Sequence, residues 1–318
     1  MLNEQNILTD LLETIRNFDE SNDTYFNHIR ENQQLNPFQN NIEIRSVGIN
    51  ESIPVEFFAE LGISSLTFNK FDGLPKSFTI PDRRDNDQLR WHHFKNSGFI
   101  KDIKAIFKAS KVIAFSDWAF VDGASELWDG LLSDVIKPLN RKDFNFIFSL
   151  GDPTKKLGYE VDEILDIISD FSLYGQVTFL VNETDAANLW MVLYGQNFDT
   201  NFLKSTTDAL KEKCRYIFNA MLIDRLLIYT VNHAMLFSKL QQFELKGRTL
   251  NNTGKLSQDV KDHFNTGYSV GLLLQLDISY CIALGLSVSG AYLESGTSPD
   301  REALLSYIKR WIGELEPA

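Results

Sequence analysis

Residues 144–181 read FNFIFSLGDPTKKLGYEVDEILDIISDFSLYGQVTFLV. Phe144, Phe146 and Phe148 sit in a short apolar run that ends at Gly151-Asp152-Pro153, which suits a buried strand closed by a turn. Val161, Ile164, Leu165, Ile168 and Phe171 then recur every three or four residues, the stripe of an amphipathic helix. Val177–Val181 is apolar again and short, a second strand. A strand, a helix and a strand in this order form a crossover unit with two parallel strands.

The same grammar extends in both directions. Upstream, KVIAF at 111–115 predicts a strand and 123–136 a helix. Downstream, helices are expected over 184–192 and 204–218, a strand over 226–231, and an antiparallel return arm over 235–243. Three helices should follow, at about 262–275, 279–293 and 300–314. Strand–helix alternation of this kind predicts an α/β fold with a mainly parallel central sheet between helical layers. Near the N-terminus, Ile7, Leu11, Leu12 and Ile15 mark one helix in an otherwise polar segment, 1–40. Ile42, Ile44 and Val47 mark a short strand, 51–61 a helix, and 64–69 with 76–80 a strand pair around Asp72-Gly73. The simplest division is an atypical segment 1–40 and one domain 41–318, with 42–95 as a small β lid or the remnant of an N-terminal half.

Of the 318 residues, 43% are hydrophobic and 23% charged, an ordinary globular composition. The formal net charge of −12 argues against a nucleic-acid binder, which needs a basic face to release counterions, and against a protein of anionic membrane surfaces. No stretch is long and apolar enough for a membrane span, and the N-terminus lacks the pattern of a secretory signal. The two cysteines, Cys214 and Cys281, lie in apolar helix-like stretches, not in disulfide or zinc spacing. These features describe a protein of the cytoplasm. Trp91-His92-His93 is not a metal motif, because adjacent histidines rarely chelate one ion.

In sheets of this type, sites form at the carboxyl ends of strands and at helix N-termini. Three stretches stand there: Gly151-Asp152-Pro153-Thr154-Lys155-Lys156, Asn182-Glu183-Thr184-Asp185, and Asp262-His263-Phe264-Asn265-Thr266-Gly267-Tyr268. Taken singly, each is a set of helix caps. Taken in order, and followed by Gly271, by Ala283-Leu284-Gly285 and by Ser295-Gly296-Thr297-Ser298-Pro299, they resemble the PfkB (ribokinase-like) carbohydrate kinases over roughly residues 100–312. That family's form is T-G-A-G-D-x-F-N-A-G-F, preceded by an N-x-x-E motif like Asn182–Asp185.

The resemblance implies a ribokinase-like three-layer α/β/α fold with a small lid. It also implies ATP- and Mg²⁺-dependent phosphoryl transfer to a sugar hydroxyl, and pairing of two chains through their lids. Asp262 matches the general base. Asn182 and Asp185 match the residues that organise magnesium and phosphate, and Asp152 an acidic position near the phosphates. Asn265 and Thr230 match positions on the nucleotide side. Backbone N–H groups at the start of the last motif's helix would hold the phosphoryl group. The sugar-binding residues carry over to no position, because no Gly-Gly-Asn stretch occurs.

The chain also departs from the family. Where the family has T-G-A-G-D, this chain has Gln258-Asp259-Val260-Lys261-Asp262, without either glycine. Such glycines let backbone approach phosphate. Asp259 adds a negative charge beside a polyphosphate, and two like charges 4 Å apart repel by about 4 kcal/mol at an effective dielectric of about 20. Lys261 offsets part of that as a phosphate-facing ammonium. Thr230-Val231-Asn232-His233-Ala234-Met235 keeps the threonine of the adenine-side loop and loses its glycines. Two readings follow: a carbohydrate kinase with Asp262 as base, or a catalytically degenerate relative that binds a metabolite or a protein.

Overall fold

The computed structural model describes residues 4–17, 46–47, 91–95, 100–101, 104, 107–108, 111–115, 118–120, 123–195, 207–249, 256–297 and 299–315. The helix expected at 51–61 and the strands expected at 64–69 and 76–80 lie outside them.

The described strands are β1 (Ser46–Val47), β2 (Val112–Phe115), β3 (Phe144–Phe148), β4 (Gly175–Asn182), β5 (Arg225–Tyr229), β6 (His233–Ser238) and β7 (Gln242–Lys246). They form one sheet whose spatial order is the chain order. β1 to β5 are parallel, while β6 and β7 return antiparallel. The expected arm at 235–243 is therefore two strands. Ser238 closes the turn between them, its Oγ donating to the Gln241 carbonyl at 2.9 Å.

Helices α1 (Glu4–Arg16), α2 (Trp91–Lys95), α3 (Ala124–Leu131), α4 (Gly158–Phe171), α5 (Glu183–Tyr194), α6 (Thr207–Ala220), α7 (Gln258–Leu273), α8 (Ile278–Ser295) and α9 (Arg301–Leu315) complete the described architecture. α3 runs on through a π-helical segment, Leu132–Ile136.

Chain order equal to sheet order dictates the layers. Parallel strands laid down consecutively need crossovers of one hand, so every connecting helix falls on the same face. That face carries α3, α4, α5 and α6. Their Trp128, Ile164, Leu189 and Ile217 pack on Phe115, Phe146, Phe179 and Ile228. The opposite face would be bare, and the chain's two ends cover it. Leu11 of α1, Phe264 and Tyr268 of α7, Ile282 of α8 and Trp311 of α9 pack on Val112, Ile147, Leu180 and Leu227. The odd and even positions of β2 to β6 go to different layers, as period-two geometry requires. The alternating phenylalanines read from the sequence form one aromatic block on the crossover side. Phe115 stacks on Phe148 at 4.7 Å between centroids, and Phe171 meets Phe146 edge-on at 5.0 Å.

The layer of α7 and α8 is packed backbone to backbone. A Cβ added to Gly267 would stand 2.7 Å from the Leu284 carbonyl oxygen, and one on Gly271 2.7 Å from the Cys281 Cα. No described helix is long and apolar enough to cross a membrane.

Candidate active site

Four of the candidate residues meet at the carboxyl end of the sheet. β4 ends at Asn182, whose extended backbone makes it the cap of α5: its Oδ1 accepts from the Asp185 N–H at 2.9 Å. Its Nδ2 donates in turn to the Asp185 carboxylate. Asp152, in the turn after β3, caps a short 3₁₀ turn. Its Oδ1 accepts from the Thr154 N–H at 3.1 Å, the Thr154 hydroxyl at 2.7 Å and the Asn188 Nδ2 at 3.1 Å. Asn188 lies one turn along α5 from Asp185, so it ties the two carboxylate-bearing segments together. Lys261, in the first turn of α7, brings its Nζ to 3.6 Å from the Asp185 Oδ2.

The electrostatics follow from burial. The Asp185 carboxyl titrates above its usual range because burial disfavours its charge. The Lys261 ammonium and the Asn182 amide pull the other way, and the Asp152 carboxylate pushes it up again. Opposite charges about 4 Å apart attract by about 4 kcal/mol gross at an effective dielectric of about 20, before the desolvation of either is counted. Lys261 is thus the ammonium that offsets part of the cost of burying the Asp185 carboxylate beside a second one.

Helix α7 is aimed by two aromatic anchors. Phe264 stacks on Tyr229 at the end of β5, 4.3 Å apart and 3° from parallel, and the Tyr268 hydroxyl bonds Thr178 Oγ1 on β4 at 3.0 Å. These contacts set the first turn of α7 over the strand ends. Asn265 follows Lys261 by four positions, on the same face; its buried Oδ1 has no hydrogen-bond partner. An unpaired buried acceptor costs about 1–3 kcal/mol, so this oxygen is suited to receive a hydroxyl or ammonium donor. Thr230 lies just past β5 and closes the β5–β6 turn, its N–H donating to the His233 carbonyl at 2.7 Å.

The sequence placed the start of this last motif's helix at 262. The structure starts it at Gln258, with Ser257 as cap: its Oγ accepts from the Val260 N–H at 3.4 Å. The reason is local. Glycine at positions 259 and 261 would resist helix formation by about 1 kcal/mol each relative to alanine, a penalty that aspartate and lysine lower. Asp262 therefore stands on the fifth helical residue, and the Lys261 N–H is already bonded to the Ser257 carbonyl at 3.2 Å. Asp259 is turned aside: its Oδ2 accepts from the Tyr292 hydroxyl of α8 at 3.1 Å. His263 lies flat on the same tyrosine ring, 3.9 Å between centroids, and its Nδ1–H donates to the Asp259 carbonyl at 2.6 Å.

Asn188 and Tyr292 were not singled out in the sequence. Each acts through a partner on another element, and no spacing within its own helix betrays it. A separate groove of about 710 Å³ between α3 and α4 is lined by Glu126, Asp129, Glu160, Glu163, Asp166 and Asp170, among others. Those carboxylates make it a poor place for a polyphosphate.

Among the described residues no three His, Cys, Asp or Glu side chains form a metal cluster. Magnesium keeps much of its water and takes one or two carboxylates beside substrate phosphates, a donor set that the Asp185 and Asp152 carboxylates could offer.

The sequence profile of the family described as prokaryotic ketohexokinase matches residues 76–311. The sequence matches none of the curated proteins it was compared with. Among solved structures, a Clostridium perfringens protein assigned as a sugar kinase is 14% identical over 85% of this chain and 80% of its own, with a TM-score of 0.51. A Rhizobium etli protein assigned as a sugar kinase is 14% identical with a TM-score of 0.48. Sinorhizobium meliloti adenosine kinase is 12% identical with a TM-score of 0.49. Each of these two matches spans 66% of this chain and 57% of the other. At 14% identity the likeness to the Clostridium perfringens protein is one of fold.

Proposed function

The chain belongs to the prokaryotic ketohexokinase family, and from that premise we propose that it is an ATP- and Mg²⁺-dependent carbohydrate kinase with its active site at the carboxyl end of the sheet. The expected PfkB-like, ribokinase-like α/β fold stands with that membership. The observation that carries the activity is the convergence of Asp152, Asn182, Asp185 and Lys261 from three separate segments onto one cluster. Capping accounts for Asn182 and Asp152 singly; a lysine and two carboxylates drawn to one partly buried point at the strand ends is what supports a functional site.

In this reading the sugar hydroxyl oxygen attacks the γ-phosphorus of ATP, the bond to the β-phosphate oxygen breaks, and ADP leaves. Asp262 takes the hydroxyl proton. Lys261 faces the phosphates, with Asp152 nearby, and Thr230 and Asn265 border the nucleotide. Asn182 fixes Asp185 through its backbone and its side chain, so the carboxylate is already placed when substrate arrives. Magnesium, held by Asp185 and Asp152, would supply charge neutralisation at the phosphates. Catalysis of this kind rests on positioning and charge stabilisation.

One observation favours a second reading, a non-catalytic relative. The backbone that would cradle phosphate before Asp262 is wound into the first turn of α7. Two measurements decide between the readings. A ligand at a hundred times its Kd stabilises by about 2.7 kcal/mol, so millimolar Mg-ATP should raise the unfolding temperature visibly. A panel of ketoses and aldoses should then yield ADP, and Asp262→Asn should abolish turnover while leaving the unfolding temperature within about a degree. A protein that neither gains stability from Mg-ATP nor makes ADP with any sugar is the degenerate relative.

A further inference from the structure

Lys261 stands where the related kinases carry a glycine, and it does not hang in solvent. Its ammonium is 3.6 Å from a largely buried carboxylate oxygen of Asp185, and both side chains are more than three quarters covered. The same carboxylate is held by the Asn182 amide and backed by Asp152. In the proposed kinase, Asp185 is also a residue that would receive a divalent cation. One carboxylate oxygen, approached by a fixed ammonium, is therefore the target of two cations.

The geometry points to Lys261 as the resident counter-ion of the site: its ammonium and a divalent cation compete for Asp185, and the displaced ammonium becomes the ligand of the incoming phosphate. The inference rests on the kinase reading for the identity of that phosphate, but the competition is a property of the ligand-free protein. Two features support it. The lysine side chain is long and has four rotatable bonds, so it can swing from Asp185 toward a neighbouring anion without moving α7. The Lys261 N–H cannot take that role, because it is already bonded to the Ser257 carbonyl.

The test uses Mn²⁺ as probe, with the full chain and with neither nucleotide nor sugar, its binding followed by water-proton relaxation. Lys261→Met should bind Mn²⁺ about tenfold or more tighter than the unaltered protein, since a neutral side chain no longer contests Asp185. Lys261→Arg should bind it as the unaltered protein does. In a second arm, with Mn²⁺ saturating in every sample, adding ADP should further protect the unaltered protein and the arginine variant against thermal unfolding, and should add no such protection to Lys261→Met. Lys261→Gln serves if the methionine variant does not fold.

Equal Mn²⁺ affinity in the unaltered protein and the neutral variants would overturn the competition, as would absence of Mn²⁺ binding in all of them. Equal ADP protection would overturn the delivery to phosphate. A protein that shows the Mn²⁺ competition but phosphorylates no sugar would fail the kinase reading alone.

Discussion

His263 and Tyr292 illustrate how one side chain can carry a pH dependence. Burial holds the His263 imidazole below its ordinary value of 6.5, against the pull of the Asp259 carbonyl and carboxylate. His233 is shifted the same way by burial, against Glu244. A folded pKa below the unfolded one means that the unfolded chain binds more protons between the two values. Stability is then full above about 6.5 and is lost as pH falls through that window. Unfolding temperature should therefore decline on going from pH 7 to pH 5.5. His263→Phe, which keeps the stacked ring on Tyr292, should decline less over the same interval. An identical slope for the two proteins would show that His263 does not contribute.

Helix pairing offers a sharper contrast with simple propensity. In an exposed helix, Gly→Ala gains about 1 kcal/mol. Gly271 faces the Cys281 Cα, where a Cβ would stand 2.7 Å from backbone. Neither α7 nor α8 can yield there without shifting Phe264 and Tyr268 off β5 and β4. Overpacking of this sort costs about 1–3 kcal/mol. Gly271→Ala should lower the urea midpoint with an unchanged m-value; an unchanged or higher midpoint would mean that the helices are looser than described. Because these anchors also aim Lys261 and Asp262, packing and site geometry are one property. The glycines of this helix pair were quoted from the sequence as part of the family resemblance, and the close approach supplies their physical reason.

Across the molecule, the two helical layers each carry one thiol. Cys214 sits in the crossover layer and Cys281 in the layer of the chain ends, and both are buried. Burial pushes each thiol up to about 12, and the thiolate is the reactive form. Neither should react with an aromatic disulfide reagent at pH 8 in the native protein, and both should react once it is unfolded. Fast labelling of one alone would reveal that its layer opens independently of the other.

The legible features were those with a period. Phe144, Phe146 and Phe148 announce a strand, and Val161 to Phe171 a helix, because a side chain's direction depends on its own backbone and repeats every 2 or 3.6 residues. Strand–helix alternation implied crossovers, so the mainly parallel sheet was legible as well, while the order of its strands was not. The start of α7 was misplaced by one turn because the capping choice at Ser257 is local but subtle. The return arm resolved into two strands because its turn, at Ser238–Gln241, carries no glycine or proline.

The chain alone supplied the residue types of the candidate site and the elements that bear them, since both are written in short-range order. Only tertiary packing decided that Lys261 meets Asp185, that Asn188 holds Asp152, and that Tyr292 turns Asp259 away. Those contacts join residues far apart along the chain, and they exist because sheet order and the aromatic anchors of α7 bring separate helix and strand ends to one edge.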